Sequence, residues 1–284
     1  MNKTQNYFQK NGSQWVNDAY KKDVTIAHGR LDVVSEVIEH LKPNSVLDIG
    51  CGDGRFLENL SWVKTRIGID YSDSMLKLAS IDKGDIRYEV IDLNSASSLI
   101  KLKNIGKVDV ITMMGVIHYL EKPTASLRGL IDCAHNKTNL IISFRNKLFN
   151  TNPLSRYYSS DLTKNNFSRL EAENIMWRRI GLVSEDVIGS LKADSKGKEL
   201  IASIINDGSY EGLTDPEWNP DSFENWRQFT PVESILLLEQ AGFRASRIIP
   251  IAGSITSEVG NAESVSFNEA IGSCTSYVIV ANIM

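Results

Sequence analysis

Between residues 45 and 144 short apolar runs alternate with stretches whose apolar positions recur at helical spacing. The runs 45–49, 66–70, 86–90, 108–113 and 138–144 are rich in Val and Ile and too short for helices, so they predict five buried strands. Between them, 72–80 and 124–134 open on helix-start residues and continue with a helical period, and Pro123 sits where a helix begins. This alternation predicts an α/β fold with a doubly wound, mainly parallel sheet covered on both faces. Upstream, Val33, Val34, Val37, Ile38 and Leu41 share one face of a helix over 32–41 that Pro43 stops. Downstream, 232–241 predicts a helix ended by Gly242, 243–250 a sixth strand and 276–283 a seventh.

Residues 147–230 separate the fifth strand from that late helix, a span far longer than the few residues an αβ connection needs. The stretch is dense in aromatics, Tyr157, Tyr158, Trp177, Trp218 and Trp226 among them, whereas disordered linkers are poor in them. It is therefore expected to fold as a cap inserted into the sheet domain.

Charge narrows the set of partners. With 31 Lys and Arg against 35 Asp and Glu, the net charge is −4, and no basic run offers a footprint for nucleic acid or an anionic membrane, so neither is expected as partner. Residues 1–10 are polar and no apolar run approaches a membrane span, which leads us to expect a cytoplasmic protein, a monomer or homodimer. Cys51, Cys133 and Cys274 are odd in number, far apart and without metal-ligand spacing, so buried thiols are expected rather than disulfides or a metal site.

Candidate chemistry concentrates in 46–56, where the first strand, carrying Asp48, runs into a turn with Gly50, Cys51, Gly52 and Gly54. Glycines here tolerate positive φ and let a ligand lie against the backbone, while the next helix start supplies N–H donors. Arg55 stands where the dinucleotide fingerprint needs a small third glycine, so the loop is not that fingerprint. The second strand ends in Asp70, eighteen residues after Gly52. Adjacent strand ends of a doubly wound sheet share one crevice, which places Asp70 to accept from two vicinal ribose hydroxyls. Just past the third strand, Asp92 is placed to take an adenine amino proton and Leu93 to pack on the ring. The turn after strand four adds Met114, Gly115 and His118.

Residues 46–56, Asp70, Asp92-Leu93 and 109–119, in this order, resemble the successive motifs of class I S-adenosylmethionine-dependent methyltransferases. The resemblance covers about residues 40–145 well and 230–284 loosely. It implies a seven-stranded sheet whose last strand inserts antiparallel, with S-adenosylmethionine as cofactor and S-adenosylhomocysteine as product. Carried over by position, Asp48 and the loop Gly50, Cys51, Gly52 and Gly54 meet the methionine end, Asp70 with Tyr71 the ribose, and Asp92 with Leu93 the adenine. Met114, Gly115 and His118 match the segment beside the methyl group. Trp15 and Tyr20 are similar to lid aromatics of small-molecule members. Strand four ends Thr112-Met113-Met114-Gly115, without the Asn-Pro-Pro-Tyr signature of amino-group and nucleic-acid methylators, which disfavours adenine or glutamine methylation. The acidic ligands of catechol-type metal chemistry are not assembled either, and no metal is expected. The organisation implied is an N-terminal helical lid (1–44), a cofactor-binding core (45–146), a substrate cap (147–230) and the end of the core (231–284).

A sulfonium is already activated, so the enzyme's task is to hold a nucleophile in line and exclude water, where proximity is worth roughly 7–11 kcal/mol in favourable cases. A hydroxyl or protonated amine acceptor needs a base, and His118 is the candidate because a neutral imidazole is available near neutrality; a packing role stands beside it. Arg145 and Asn146, after the fifth strand, and Tyr157 and Tyr158 of the cap are the candidate contacts of an anionic or hydroxylated acceptor. The reading is a methyltransferase acting on an oxygen or nitrogen of a small-molecule acceptor, a sugar or secondary metabolite being in view. A non-catalytic partner or sensor that binds the same cofactor, and transfer of another group such as aminopropyl, stand as alternatives.

Overall fold

The computed structural model describes residues 26–79, 85–153, 155, 167–180, 187–207, 227–251, 271 and 274–284, with Tyr7, 9–12 and Gln14 near the start. Seven strands, Ser45–Ile49 (β1), Thr65–Asp70 (β2), Ile86–Val90 (β3), Val108–Met113 (β4), Ala134–Arg145 (β5), Phe243–Ile251 (β6) and Ser276–Ile283 (β7), form one sheet in the order β3-β2-β1-β4-β5-β7-β6. The first five pair in parallel, and β7 lies antiparallel between β5 and β6. Strand order reverses between β1 and β4, the topological switch point at which such sheets open a crevice.

The helices that frame the sheet include Ile26–Leu41 (α1), Arg55–Asn59 (α2), Asp73–Ala79 (α3), Pro123–Gly129 (α4), Phe167–Ile180 (α5), Val187–Ala193 (α6), Ser195–Asp207 (α7) and Pro231–Ala241 (α8). Side chains alternate across the strands. Leu47, Ile49, Ile111, Met113 and Ile142 pack in one layer with Leu127 of α4 and Ile235 of α8. Val46, Val110, Ile141 and Val278 pack in the other with Val34 and Ile38 of α1 and Leu57 of α2. Burial on both faces explains why these strands read as nearly continuous apolar runs.

Helix α8 is defined locally at both ends. Thr230 Oγ1 accepts from the Glu233 N–H at 3.2 Å while Glu233 Oε2 accepts from the Thr230 N–H at 2.8 Å, Pro231 occupies the first turn, and Gly242 closes the helix at φ 95°. Three boundaries differ from the sequence reading by more than one residue. Helix α1 starts at Ile26 rather than 32, so it carries Arg30. Helix α4 tightens after Gly129 into a 3-10 turn over Leu130–Cys133. Strand β5 begins at Ala134 rather than 138, because a register shift against β4 lets polar residues join, with Thr138 Oγ1 donating to the Val108 carbonyl.

Helices α5 to α7 belong to the inserted stretch. Trp177 of α5 is fully buried, and its Nε1 donates at 3.1 Å to Glu173 Oε1, which also accepts from the Val232 N–H of α8 at 3.0 Å. Burial pushes the Glu173 carboxyl up to about 7. Arg169 Nη2 meets Glu233 Oε1 at 3.0 Å, and α6 packs on β6. The described part of the insert is thereby fastened to α8 and β6. Cys51, Cys133 and Cys274 are buried thiols. Among the described residues no helix is long and apolar enough to cross a membrane.

Candidate cofactor and acceptor site

Strand register assembles the first wall of the crevice. Asp48 stands opposite Gly68 of β2 and opposite Thr112 of β4, and Thr112 Oγ1 donates to Asp48 Oδ1 at 2.7 Å. Burial pushes the Asp48 carboxyl up to about 7, against the pull of that hydrogen bond and with a further push from Asp70. Beyond β1 the chain turns sharply: the N–H groups of Gly50 and Cys51 donate to the Ile69 carbonyl at 2.7 and 3.1 Å. Gly50, Gly52 and Gly54 have φ of 71°, 57° and 76°, the left-handed region that costs glycine nothing. The Gly52 N–H then donates to Asp70 Oδ2 at 3.0 Å, and the Ser72 N–H to Oδ1 at 2.9 Å. Burial raises the Asp70 pKa, opposed by the backbone N–H groups of Ser72, Gly52 and Tyr71. The Ile91 N–H donates to the Asp70 carbonyl at 3.0 Å, which brings half-buried Asp92 and buried Leu93 to the same rim. Asp92 Oδ1 accepts from the Asn94 N–H at 2.9 Å.

The opposite wall follows β4. The Gly115 N–H donates to Ser143 Oγ at 2.9 Å, and its φ of 72° leaves a bare face that Arg30 covers. A Cβ on Gly115 would stand 2.7 Å from Arg30 Nη1. Next comes the 3-10 turn Ile117–Tyr119, in which His118 is buried and its ring lies 4.3 Å from that of Tyr119. Burial holds the His118 imidazole well below the usual histidine range, and Arg145, Arg30 and Arg227 push in the same direction. Arg227 Nη1 donates to the Leu120 carbonyl at 3.1 Å, and its guanidinium lies 5.8 Å from the centre of the Phe229 ring. Burial lowers the Arg227 pKa to about 10. The chain returning from the insert pairs with the end of β5, with the Phe229 N–H on the Arg145 carbonyl and the Lys147 N–H on the Phe229 carbonyl, both at 3.0 Å.

The residues expected at the cofactor, Asp48, the 50–54 loop, Asp70, Tyr71, Asp92, Leu93, Met114 and Gly115, thus line strand ends around one switch point, with His118 and Arg145 on the far wall. Asn146 departs from its expected part. Its Nδ2 donates to the carbonyls of Ile271 and Cys274 and its Oδ1 accepts from the Leu148 N–H at 3.1 Å, so it braces the wall instead of facing an acceptor. Trp15, Tyr20, Tyr157 and Tyr158 lie outside the described residues. Arg30, Thr112 and Arg227 were not singled out from sequence. Two carried a signal: Arg30 falls at i−4 and i−8 from Val34 and Ile38 on the apolar stripe of α1, and Thr112 is a hydroxyl inside an apolar strand.

A family model described as a methyltransferase domain matches residues 25–185. The chain belongs to this methyltransferase family. A curated relative, the ubiquinone biosynthesis O-methyltransferase of Shewanella pealeana, is 22% identical over 104 residues, 36% of this chain and 44% of that protein, so the match spans less than half of the relative. Magnesium protoporphyrin IX methyltransferase from Synechocystis, solved with S-adenosylhomocysteine, aligns over 99% of this chain and 98% of its own at 16% identity and a TM-score of 0.54. A Thermotoga maritima S-adenosylmethionine-dependent methyltransferase, described as a possible histamine N-methyltransferase, aligns over 98% of both chains at 16% identity and a TM-score of 0.56. At such identities the likeness speaks for the fold.

The methyltransferase is accordingly a class I enzyme of the S-adenosylmethionine-dependent kind. Its first wall fits that cofactor. Three alternating glycines, Gly50, Gly52 and Gly54, open the backbone to close approach, and two buried carboxyls, Asp48 and Asp70, sit where burial disfavours their charge unless a cation joins them.

Proposed function

We propose that the methyltransferase moves a methyl group from S-adenosylmethionine to an oxygen or nitrogen of a small molecule seated between Gly115 and the Ile117–Tyr119 turn. The observation that carries this reading is the hydrogen bond from the Gly52 N–H to Asp70, which fuses the glycine loop and the end of β2 into one rim. Along that rim Asp48 and the 50–54 loop would take the methionine end, Asp70 and Tyr71 the ribose, and Asp92 and Leu93 the adenine, with Met114 and Gly115 bordering the methyl group. Bound there, the cofactor supplies a methyl carbon activated by its sulfonium. The chain's own residues orient the acceptor and keep water out.

His118 meets the acceptor as a neutral imidazole. Because burial and three arginines oppose its protonation, it accepts a hydrogen bond more readily than it keeps a proton, and contact with the acceptor fits it better than strong general-base work. A small acceptor is supported by what covers the crevice. Ser74 Oγ donates to the Gln9 carbonyl at 3.3 Å, and Gly12 packs on the Met75 thioether, whose methyl also faces Gly52, so residues 9–12 act as a lid over the loop. The similar proteins from Synechocystis and Thermotoga maritima are likewise named for small molecules.

Incubation with labelled S-adenosylmethionine and panels of hydroxylated and amine acceptors, with products read by mass, tests the proposal. Products carrying one added methyl support it. An aminopropyl adduct, or tight cofactor binding with no transfer to any small acceptor, would overturn it.

A further inference from the structure

Thr112, Asp48, Gly68 and Tyr88 stand in one register row across β4, β1, β2 and β3. The glycine interrupts that row, and two neighbours enter the space its missing side chain leaves. A Cβ on Gly68 would stand 2.7 Å from Cys51 Sγ and 2.8 and 2.9 Å from two ring carbons of Tyr88. A glycine inside a strand marks a close approach, and an aromatic opposite it on the next strand covers the gap. Here the aromatic comes from the edge strand of the sheet and packs against the layer that holds Cys51, Phe56, Leu57 and Leu76.

From Gly68 the phenol reaches on to the far end of the glycine loop. Its oxygen lies against the open face of Gly54, where a Cβ would collide with it and would also stand 3.3 Å from the Ala79 methyl. That oxygen is buried and has no hydrogen-bond partner among the described residues. A buried hydroxyl without a partner opposes folding, so what it contributes here is contact: it fills the last stretch between β3 and Gly54, which a phenylalanine ring would leave empty. The ring at Cys51 and the oxygen at Gly54 support the 50–54 loop at two points. We infer that Tyr88, seated on Gly68, is a positioning residue for S-adenosylmethionine, setting the height of the loop through Cys51 and Gly54 rather than by touching the cofactor. This rests on the cofactor site proposed for that loop and adds to it a residue outside every strand end and turn of the crevice.

The test compares cofactor affinity with stability in the full chain, by calorimetric titration with S-adenosylmethionine and by urea unfolding. Tyr88→Phe removes the oxygen alone. Because that hydroxyl has no partner, the unfolding midpoint should stay at or above that of the wild type, yet S-adenosylmethionine should bind about threefold to tenfold more weakly. Gly68→Ala, whose Cβ presses on both the ring and Cys51, should weaken binding by about tenfold or more, and combined with Tyr88→Leu the two losses should fall short of additive because both act through one ring. Where Gly68→Ala does not fold, Tyr88→Phe carries the test. Unchanged affinity in Tyr88→Phe, a loss matched by a lowered unfolding midpoint, or additive losses in the double variant would overturn the positioning role alone. Failure of S-adenosylmethionine to bind the wild-type protein would overturn the cofactor site beneath it.

Discussion

Asp48, Asp70 and Asp92 stand at or just past the ends of β1, β2 and β3, whereas Arg30, Arg145 and Arg227 reach the opposite wall from α1, the end of β5 and the chain leaving the insert. The acidic wall is held by neighbours close in the sheet: Thr112 across the β1–β4 register, and the N–H groups of Gly52, Ser72 and Asn94. The basic wall is gathered from elements up to most of the chain apart, by helix packing and by the pairing of Phe229 with Arg145. One wall therefore follows from the topology of a doubly wound sheet, while the other is brought together from separate elements by packing. On the proposed function, the first wall would hold the cofactor and the second would face the acceptor.

The sharpest way to break this division is to remove Asp70. Asp70→Ala deprives the Gly52 and Ser72 N–H groups of their acceptor and should weaken S-adenosylmethionine binding by about 1–3 kcal/mol, measured by calorimetry. Gly50→Ala attacks the same wall through the backbone. At φ 71° an alanine costs about 1–2 kcal/mol, and its Cβ would also press on Val116, so urea unfolding should show a loss of at least that size.

Acidity should act on the cofactor wall in a definite direction. The Asp48 carboxyl of the free protein stands at about 7, and a cationic cofactor favours its ionised form. Below that pH binding must first expel a proton, so S-adenosylmethionine affinity should fall as pH falls, approaching tenfold, about 1.4 kcal/mol, per unit. A titration series from pH 8 to 5.5 checks the sign. The smallest change is Thr112→Val, which removes the hydroxyl that lowers the Asp48 pKa. It should cost about 1 kcal/mol in cofactor affinity at neutral pH and move the midpoint of that pH series upward.

The sheet was legible because both its faces are covered. Runs such as 45–49, 108–113 and 276–283 are mostly apolar, so their bounds coincide with the strands found, and 86–90 keeps its bounds as well although β3, at the sheet edge, is half-buried to exposed. The start of β5 escaped because His135, Asn136 and Lys137 carry no apolar signal, and only pairing with β4 places them in a strand. The cofactor wall was legible for a related reason: its chemistry sits at strand ends in chain order, so spacing along the chain stands in for distance in space. Arg30 and Arg227 have no such ruler, since 197 residues of chain separate two groups that act on one imidazole. Asn146 was misread in the other direction. A polar residue after a strand end resembles a ligand contact, but its amide is consumed by Ile271, Cys274 and Leu148.

Calorimetric titration of the purified chain with S-adenosylmethionine and, separately, with NAD tests most directly that the rim joined by Gly52 and Asp70 is the cofactor site. Saturable one-to-one binding of S-adenosylmethionine with none of NAD is the predicted result. Binding of NAD, or no binding of S-adenosylmethionine to the folded protein, would contradict the account at its base.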